Sequence, residues 1–232
     1  GCADSWRDLP EVLAHVRARA PEAPLAAVGY SMGASILLKY LGVAGAGCPL
    51  AGAMAVSAPV DIPSTAADIH SPKNWAVSFA MAQGVKIKAL PKLLASPFAK
   101  FCDLRKAFLA STLGQIEDAV ICQLHGYRDV PEYYSKNNAR TGLGNISVPT
   151  LILSAMDDIV SSPRLFPMEE MRANPRIYTV LTRRGGHIGW CSGGLRGSGS
   201  AGSWADNIAS LFLSACVGSS SSSASSSPSS PS

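Results

Sequence analysis

The chain has 232 residues with a formal net charge of +4, and 47% of its residues are hydrophobic, which indicates one globular domain and excludes a largely disordered chain. The six cysteines show no CxxC spacing, which argues against a zinc site or a disulfide framework and favours reduced thiols in an intracellular compartment. No basic stripe suits a nucleic-acid backbone and no apolar run reaches membrane-spanning length, so neither a nucleic-acid partner nor a spanning helix is expected.

The N-terminal part predicts a helix, a strand and a second helix. Apolar residues recur at helical spacing over Asp8–Ala20. A short apolar strand is predicted over Leu25–Gly29, and a second helical pattern runs to about Leu41. Gly42 follows where a left-handed helix cap is expected.

The turn between this strand and helix has the pattern Gly-x-Ser-x-Gly, at Gly29–Gly33. In a nucleophile elbow the serine lies at a strained apex, which here is Ser31, and both glycines prevent a collision between strand and helix. The Met32 backbone N–H would then be one oxyanion donor, because the first amides of a helix have no helical acceptor. The alternative is an ordinary glycine-rich turn without chemistry.

A second apolar strand is predicted over Leu50–Ser57, and helical segments broken by prolines fill residues 64–145. We expect these segments to form a helical insertion in a parallel α/β sheet, placed as a lid or pocket wall. Four lysines in the insertion are interpreted as a solvated helix face: Lys86, Lys88, Lys92 and Lys100. Its large apolar residues are expected to pack against one another rather than line an acyl pocket: Trp75, Phe79, Phe98, Phe101, Phe108 and Leu109.

The C-terminal part predicts two further strands, each followed by residues that can do chemistry. Val148–Ser154 leads to Asp157 and Asp158, and Arg176–Thr182 leads to Gly185-Gly186-His187. A helix is predicted between them over Pro163–Asn174, and a last helix begins at Trp204 with Ser203 as its N-cap. The serine-rich stretch 218–232 is expected to be disordered.

The order of these residues predicts a Ser-His-Asp site. A serine hydroxyl needs an imidazole to accept its proton and a carboxylate to orient that imidazole, and α/β-hydrolases supply them in the order Ser, Asp, His. Ser31 is the candidate nucleophile and His187 the candidate base. The number of residues from Pro149 favours Asp158 as the acid, with Asp157 as the alternative. The remaining histidines are interpreted as surface or satisfied residues: His15, His70 and His125.

The chain resembles the α/β-hydrolase-domain group that contains the YheT-type bacterial hydrolases, the yeast medium-chain ester synthases/esterases, the animal phospholipase-like proteins and the plant embryogenesis-associated proteins. The matching segments are Gly29–Gly42, Gly126-Tyr127 with Glu132–Ser135, Val148–Asp158 and Thr182–Trp190. The resemblance implies a Ser31, Asp158, His187 triad that acts on carboxylic esters of acylglycerol, phospholipid or medium-chain type. It also implies acyl transfer to alcohols as a second reaction. For the chain itself we expect a small-molecule ester or lipid substrate and no metal or organic cofactor, and peripheral contact with a membrane is left open.

The sequence departs from this group in several places. The group's N-terminal strands and oxyanion loop have no counterpart, so residues 1–217 are expected to form an α/β-hydrolase domain without its N-terminal strands. Ile159 stands where the group often has proline. The isolated chain is therefore expected to be a poor enzyme, with the strand before Ser31 at a sheet edge. The competing hypotheses are an inactive hydrolase-like fragment and a lipid-binding or partner-binding module, and the sequence gives no oligomeric state.

Overall fold

The computed structural model describes residues 2–190 and 203–224, the side chains of 219–224 excepted. Its centre is a four-stranded, all-parallel sheet in the order β1-β2-β3-β4, which confirms the predicted α/β class. The strands lie close to their predicted positions: β1 Leu25–Tyr30, β2 Leu50–Val56, β3 Thr150–Ala155 and β4 Ile177–Thr182.

The register brings the carboxyl ends of the strands to one edge of the sheet. Tyr30 pairs with Val56, Val56 pairs with Leu153, and Leu153 pairs with Val180. The residues that follow each strand therefore meet at this edge. Strands β2 and β3 are almost wholly buried, whereas β1 lies at one side of the described sheet with β2 as its neighbour.

Helices cover both faces of the sheet. One face is covered by α1 (Leu9–Arg19), α2 (Met32–Ala44), α9 (Met168–Ala173) and the 3₁₀ segment Ala139–Asn145. Alternate residues of a strand point to opposite faces, so Ala53 and Ala55 join this core together with Ile152. The largest fully buried side chains of α2 are Leu38 and Leu41.

The other face of the sheet is covered by α10 (Trp204–Ala224). Met54 and Val56 of β2 pack there with Leu151 and Leu153 of β3 against Ala205 and Ala209. Gly52 allows this approach, because a Cβ at that position would lie 2.7 Å from the Cys216 side chain. The predicted N-cap is confirmed, since the Ser203 hydroxyl accepts from the Asp206 N–H at 3.2 Å.

A second compact unit spans residues 61–138 and contains helices and no strand among its described residues. Its small core consists largely of alanines, with Ala82, Ala107, Ala110 and Ala119 packed around Ile116. A π-helical turn, Glu117–Cys122, lies in its middle. Its α-helices are α3 (Ile62–Ile69), α4 (Trp75–Leu94), α5 (Leu104–Leu109), α6 (Leu113–Ile116), α7 (Gln123–His125) and α8 (Val130–Lys136).

The expected mutual packing of the large apolar residues in this unit is wrong. The small cluster of this unit is built from other residues, and all six side chains are exposed: Trp75, Phe79, Phe98, Phe101, Phe108 and Leu109. Lys86 also differs from the expected solvated face, because its Nζ donates to the Phe108 carbonyl at 3.1 Å and to the Ala110 carbonyl at 2.8 Å.

Three helix boundaries differ from the predictions. Helix α2 continues to Ala44 and is capped by Gly45 at φ 50°, whereas Gly42 is buried against Gly142. The predicted helix over 163–174 is a 3₁₀ turn and a separate α9, because Pro167 lacks the N–H that a continuous helix needs. Helix α10 extends to Ala224, into the stretch expected to be disordered, and residues 225–232 lie outside the described part.

Candidate active site

Ser31 lies at the tip of a tight turn between β1 and α2. Its backbone has φ 51° and ψ −123°, a strained conformation for a residue with a side chain. The Ser31 N–H donates to the Val56 carbonyl at 2.8 Å, which fixes the turn to the neighbouring strand. A Cβ at Gly29 would lie 2.5 Å from the Gly33 carbonyl oxygen, so Gly29 must be glycine, but a Cβ at Gly33 would meet nothing within 4 Å. The steric reason predicted for Gly33 is therefore wrong.

His187 lies beside Ser31, in the loop after β4. Its Nε2 is 2.7 Å from Ser31 Oγ, and its Nδ1 is 2.9 Å from Asp158 Oδ2. Two glycines shape this loop: Gly186 has φ +57°, and a Cβ at Gly185 would lie 2.4 Å from the Trp190 indole nitrogen. The loop can therefore fold back towards β1 only with small residues at these positions.

Asp158 is held by both of its carboxylate oxygens. Oδ2 contacts His187, and Oδ1 accepts from the backbone N–H groups of Val160 at 2.8 Å and Ser161 at 2.9 Å. Burial of the carboxyl acts to raise its pKa, but the His187 hydrogen bond and the two backbone donors outweigh burial and lower the pKa of Asp158 below its usual value. Asp158 is thus an ionised carboxylate over the neutral pH range, as an orienting acid must be.

Asp157 is placed differently from its neighbour. It is exposed, and its Oδ1 accepts from the Gly186 N–H at 2.8 Å. The two aspartates therefore support the same histidine loop in different ways. Asp158 contacts the imidazole, whereas Asp157 contacts the backbone of the preceding glycine.

Ser57 contacts the histidine loop as well, and the sequence interpretation gave it no role. It is fully buried directly after β2, has φ 51°, and its hydroxyl donates to the His187 carbonyl oxygen. The Ser57 N–H donates to the Leu153 carbonyl at 2.8 Å. The available signal in the sequence was its place at the end of the strand predicted over Leu50–Ser57, because the carboxyl ends of parallel strands meet at one edge of a sheet.

The structure also places the predicted oxyanion donor and the other three histidines. Met32 is the first residue of α2, so its N–H has no helical acceptor. His15 is exposed, His70 Nδ1 is 2.9 Å from Ser78 Oγ, and His125 is 3.8 Å from Cys2 Sγ. In the described part of the chain, no three His, Cys, Asp or Glu side chains are grouped as metal ligands.

Comparisons with known proteins agree with this architecture. A hydrolase family described as serine aminopeptidase, S33, matches residues 1–171. Phospholipase ABHD3 of Bos taurus is 30% identical over 192 residues, which cover 83% of this chain and 46% of that protein. Monoacylglycerol lipase of Saccharomyces cerevisiae is 27% identical over 188 residues, which cover 79% of this chain and 42% of the lipase.

The chain thus spans about half the length of the curated relatives it matches. Among solved structures, an α/β fold family hydrolase of Bacillus anthracis has a TM-score of 0.54 at 16% identity. That similarity covers 92% of this chain and 75% of the Bacillus protein, and it concerns the fold. The chain belongs to the serine aminopeptidase S33 family of α/β-hydrolases.

Proposed function

We propose that this chain carries the catalytic centre of a serine hydrolase that acts on carboxylic esters. The observation that carries the proposal is the continuous hydrogen-bond chain from Ser31 Oγ through both nitrogens of His187 to Asp158. A hydroxyl, an imidazole and a buried carboxylate at these distances form the arrangement that converts serine into a nucleophile.

In this mechanism the Ser31 hydroxyl attacks the ester carbonyl carbon while its proton passes to His187 Nε2. Asp158 keeps the Nδ1 proton of the imidazole in place and stabilises the imidazolium that forms. The Met32 N–H faces the negative charge that develops on the carbonyl oxygen. His187 then protonates the leaving alcohol, and an acyl group remains bound to Ser31 Oγ.

Release of this acyl group completes the reaction. A water molecule gives a proton to His187 and attacks the acyl carbon. The bond between that carbon and Ser31 Oγ then breaks, His187 returns the proton to Ser31 Oγ, and a carboxylic acid is released. An alcohol in the place of water would yield a new ester, so acyl transfer to alcohols is proposed as a second outcome. The proposed substrates are acylglycerol, phospholipid or medium-chain esters, because similar proteins are named phospholipase and monoacylglycerol lipase.

Labelling with a fluorophosphonate probe tests the nucleophile. The probe is expected to modify one serine of the chain, and Ser31→Ala should abolish both the labelling and the hydrolysis of p-nitrophenyl esters. Ser35→Ala is the matched control, because this serine lies in the first turn of the helix that follows Ser31 and its hydroxyl donates to the Pro59 carbonyl at 2.8 Å. The control should be labelled like the unchanged chain.

Two results would contradict the proposal. Labelling at Ser35 or Ser57 would show that Ser31 is not the nucleophile. A folded chain with neither labelling nor ester hydrolysis would favour an inactive hydrolase-like fragment, and lipid binding that survives Ser31→Ala in such a chain would favour a binding module.

A further inference from the structure

The helical unit carries an exposed surface in which large apolar and basic side chains alternate. It extends from the second half of α4 through the 3₁₀ turn Pro97–Phe101 to α5. Ile87 is 75% exposed, Phe108 73% and Leu109 68%, far above what a core residue would show. We call it the lysine–apolar surface and define it by Ile87, Lys88, Lys92, Leu94, Phe98, Lys100, Phe101, Arg105, Phe108 and Leu109.

Contacts inside the unit join these segments into one surface. Lys86 of α4 donates to two carbonyls at the end of α5, those of Phe108 and Ala110. Small residues of both helices face inward, since Ala82 and Ala107 are fully buried in the same cluster. Alanines of these two helices thus lie inside, while the large apolar side chains of the same segments lie outside and form an exposed apolar patch of the kind that marks an interaction surface.

The charge of this region is concentrated. Residues 75–109 contain six basic side chains and one acidic side chain, a net charge of +5, whereas the whole chain carries +4. Lys106 pairs with Asp118 and Lys100 lies 5.0 Å from the Phe101 ring centroid. For Lys88, Lys92 and Arg105, the described residues supply no hydrogen bond or ion pair.

We infer that the lysine–apolar surface binds the surface of a bilayer that contains anionic lipids. Phenylalanine and leucine side chains would enter the boundary between headgroups and acyl chains, and the long lysine side chains would reach the phosphate and carboxylate groups above it. Among the described residues, no helix has the length and apolar character needed to cross a bilayer.

Charge complementarity favours an anionic bilayer over a protein partner. The cores of protein interfaces are depleted in lysine, because an ammonium group is costly to bury between two proteins. At a membrane surface the same lysines stay hydrated beside lipid anions while their neighbours are buried. The inference goes beyond the proposed function, since adsorption to a bilayer requires no chemistry at Ser31.

Vesicle cosedimentation tests the charge of the surface. The full chain with Ser31→Ala, which prevents turnover, is mixed with phosphatidylcholine vesicles or with vesicles that also contain phosphatidylserine. Binding is expected with the anionic vesicles only, and it should weaken as salt is added. The double variant Lys88→Glu/Lys92→Glu should lower partitioning by at least about thirtyfold. Its matched control, Arg164→Glu/Arg172→Glu, changes the net charge equally at exposed positions of the sheet unit and should bind normally.

A second pair of variants tests the apolar part. Phe108→Ser/Leu109→Ser should weaken binding, whereas Leu211→Ser, at a 70% exposed position of α10, should not. Circular dichroism melts confirm that each variant is folded. A folded chain that ignores anionic vesicles, or whose binding is unchanged by both surface variants, overturns the inference. So does a dimer, seen in sedimentation velocity, that Phe108→Ser/Leu109→Ser converts to monomer without any vesicle binding.

Discussion

The sheet unit and the helical unit differ in where their large apolar side chains lie. In the sheet unit, Leu38, Met54 and Ile152 are fully buried between a sheet and its covering helices. In the helical unit, alanines make up most of the small cluster around Ile116, Tyr133 is fully buried elsewhere in the unit, and residues such as Phe108 face outward. Helical periodicity thus predicts a helix in both units, but it predicts burial only where a second layer covers the apolar face.

The largest expected effect concerns the acid of the sheet unit. Asp158→Asn should lower kcat about 10⁴-fold, because the amide holds His187 in the wrong tautomer. Asp157→Asn should have a far smaller effect, because Asp157 contacts only the Gly186 backbone among the contacts described for it. Ester hydrolysis under saturating substrate measures both. Reversed effects would assign the acid to Asp157.

A pair of substitutions tests the contrast between the units directly. Leu38→Ala should lower the free energy of unfolding by about 2–5 kcal/mol, because it leaves a cavity behind a fully buried side chain. Phe108→Ala should change it by less than about 0.5 kcal/mol, because that ring is already in water. Urea denaturation gives both values, and equal losses would mean that Phe108 is covered in solution.

The helical unit contains a partly buried glutamate, Glu117, whose shifted pKa is expected to make stability depend on pH. Burial raises the pKa of Glu117 to about 7, although a hydrogen bond from the Tyr134 hydroxyl opposes the shift. Between the usual glutamate pKa and 7, the folded chain keeps a proton that the unfolded chain releases, so stability from this group falls as pH rises. Glu117→Gln should remove a pH-dependent change of about 3 kcal/mol in the free energy of unfolding.

Urea denaturation of the unchanged chain and of Glu117→Gln at several pH values measures the difference between their free energies of unfolding. As pH rises, Glu117→Gln should become more stable relative to the unchanged chain. Tyr134→Phe provides the control, because loss of its hydrogen bond should move the pH range of destabilisation upward. Parallel stability curves for the unchanged chain and Glu117→Gln would contradict the assigned pKa.

The smallest expected effect concerns the support of His187. Ser57→Ala removes the hydroxyl that donates to the His187 carbonyl, and a lost hydrogen bond of about 1 kcal/mol would lower kcat roughly fivefold with KM unchanged. Ser35→Ala removes an equally buried hydroxyl bonded to Pro59 and should leave kcat unchanged. A rise in KM alone for Ser57→Ala would argue against a positioning role.

The first three strands were predictable because they are short, largely apolar runs that end at Gly29, Ser57 and Ser154. The spacing of Ser31, the aspartate pair and His187 after such strands predicted which residues would meet at one edge. Ser57 was missed because its role depends on register and on a loop that folds back from β4, and neither is encoded locally. The exposed face of the helical unit was missed because residues alone do not tell whether a partner layer exists.

One hydrogen bond has consequences for how this fold can vary. The Arg140 N–H donates to the Val60 carbonyl at 3.0 Å, so the chain leaves the sheet unit and re-enters it at adjacent points. Inside the helical unit, the Asn138 side chain joins the two ends of the segment. It donates to Asp61 Oδ1 at 2.9 Å and accepts from the Ile62 N–H at 3.2 Å. The helical unit therefore begins and ends at neighbouring positions of the chain's fold. This is the geometry in which a segment of different length can be inserted without displacing the residues that flank it.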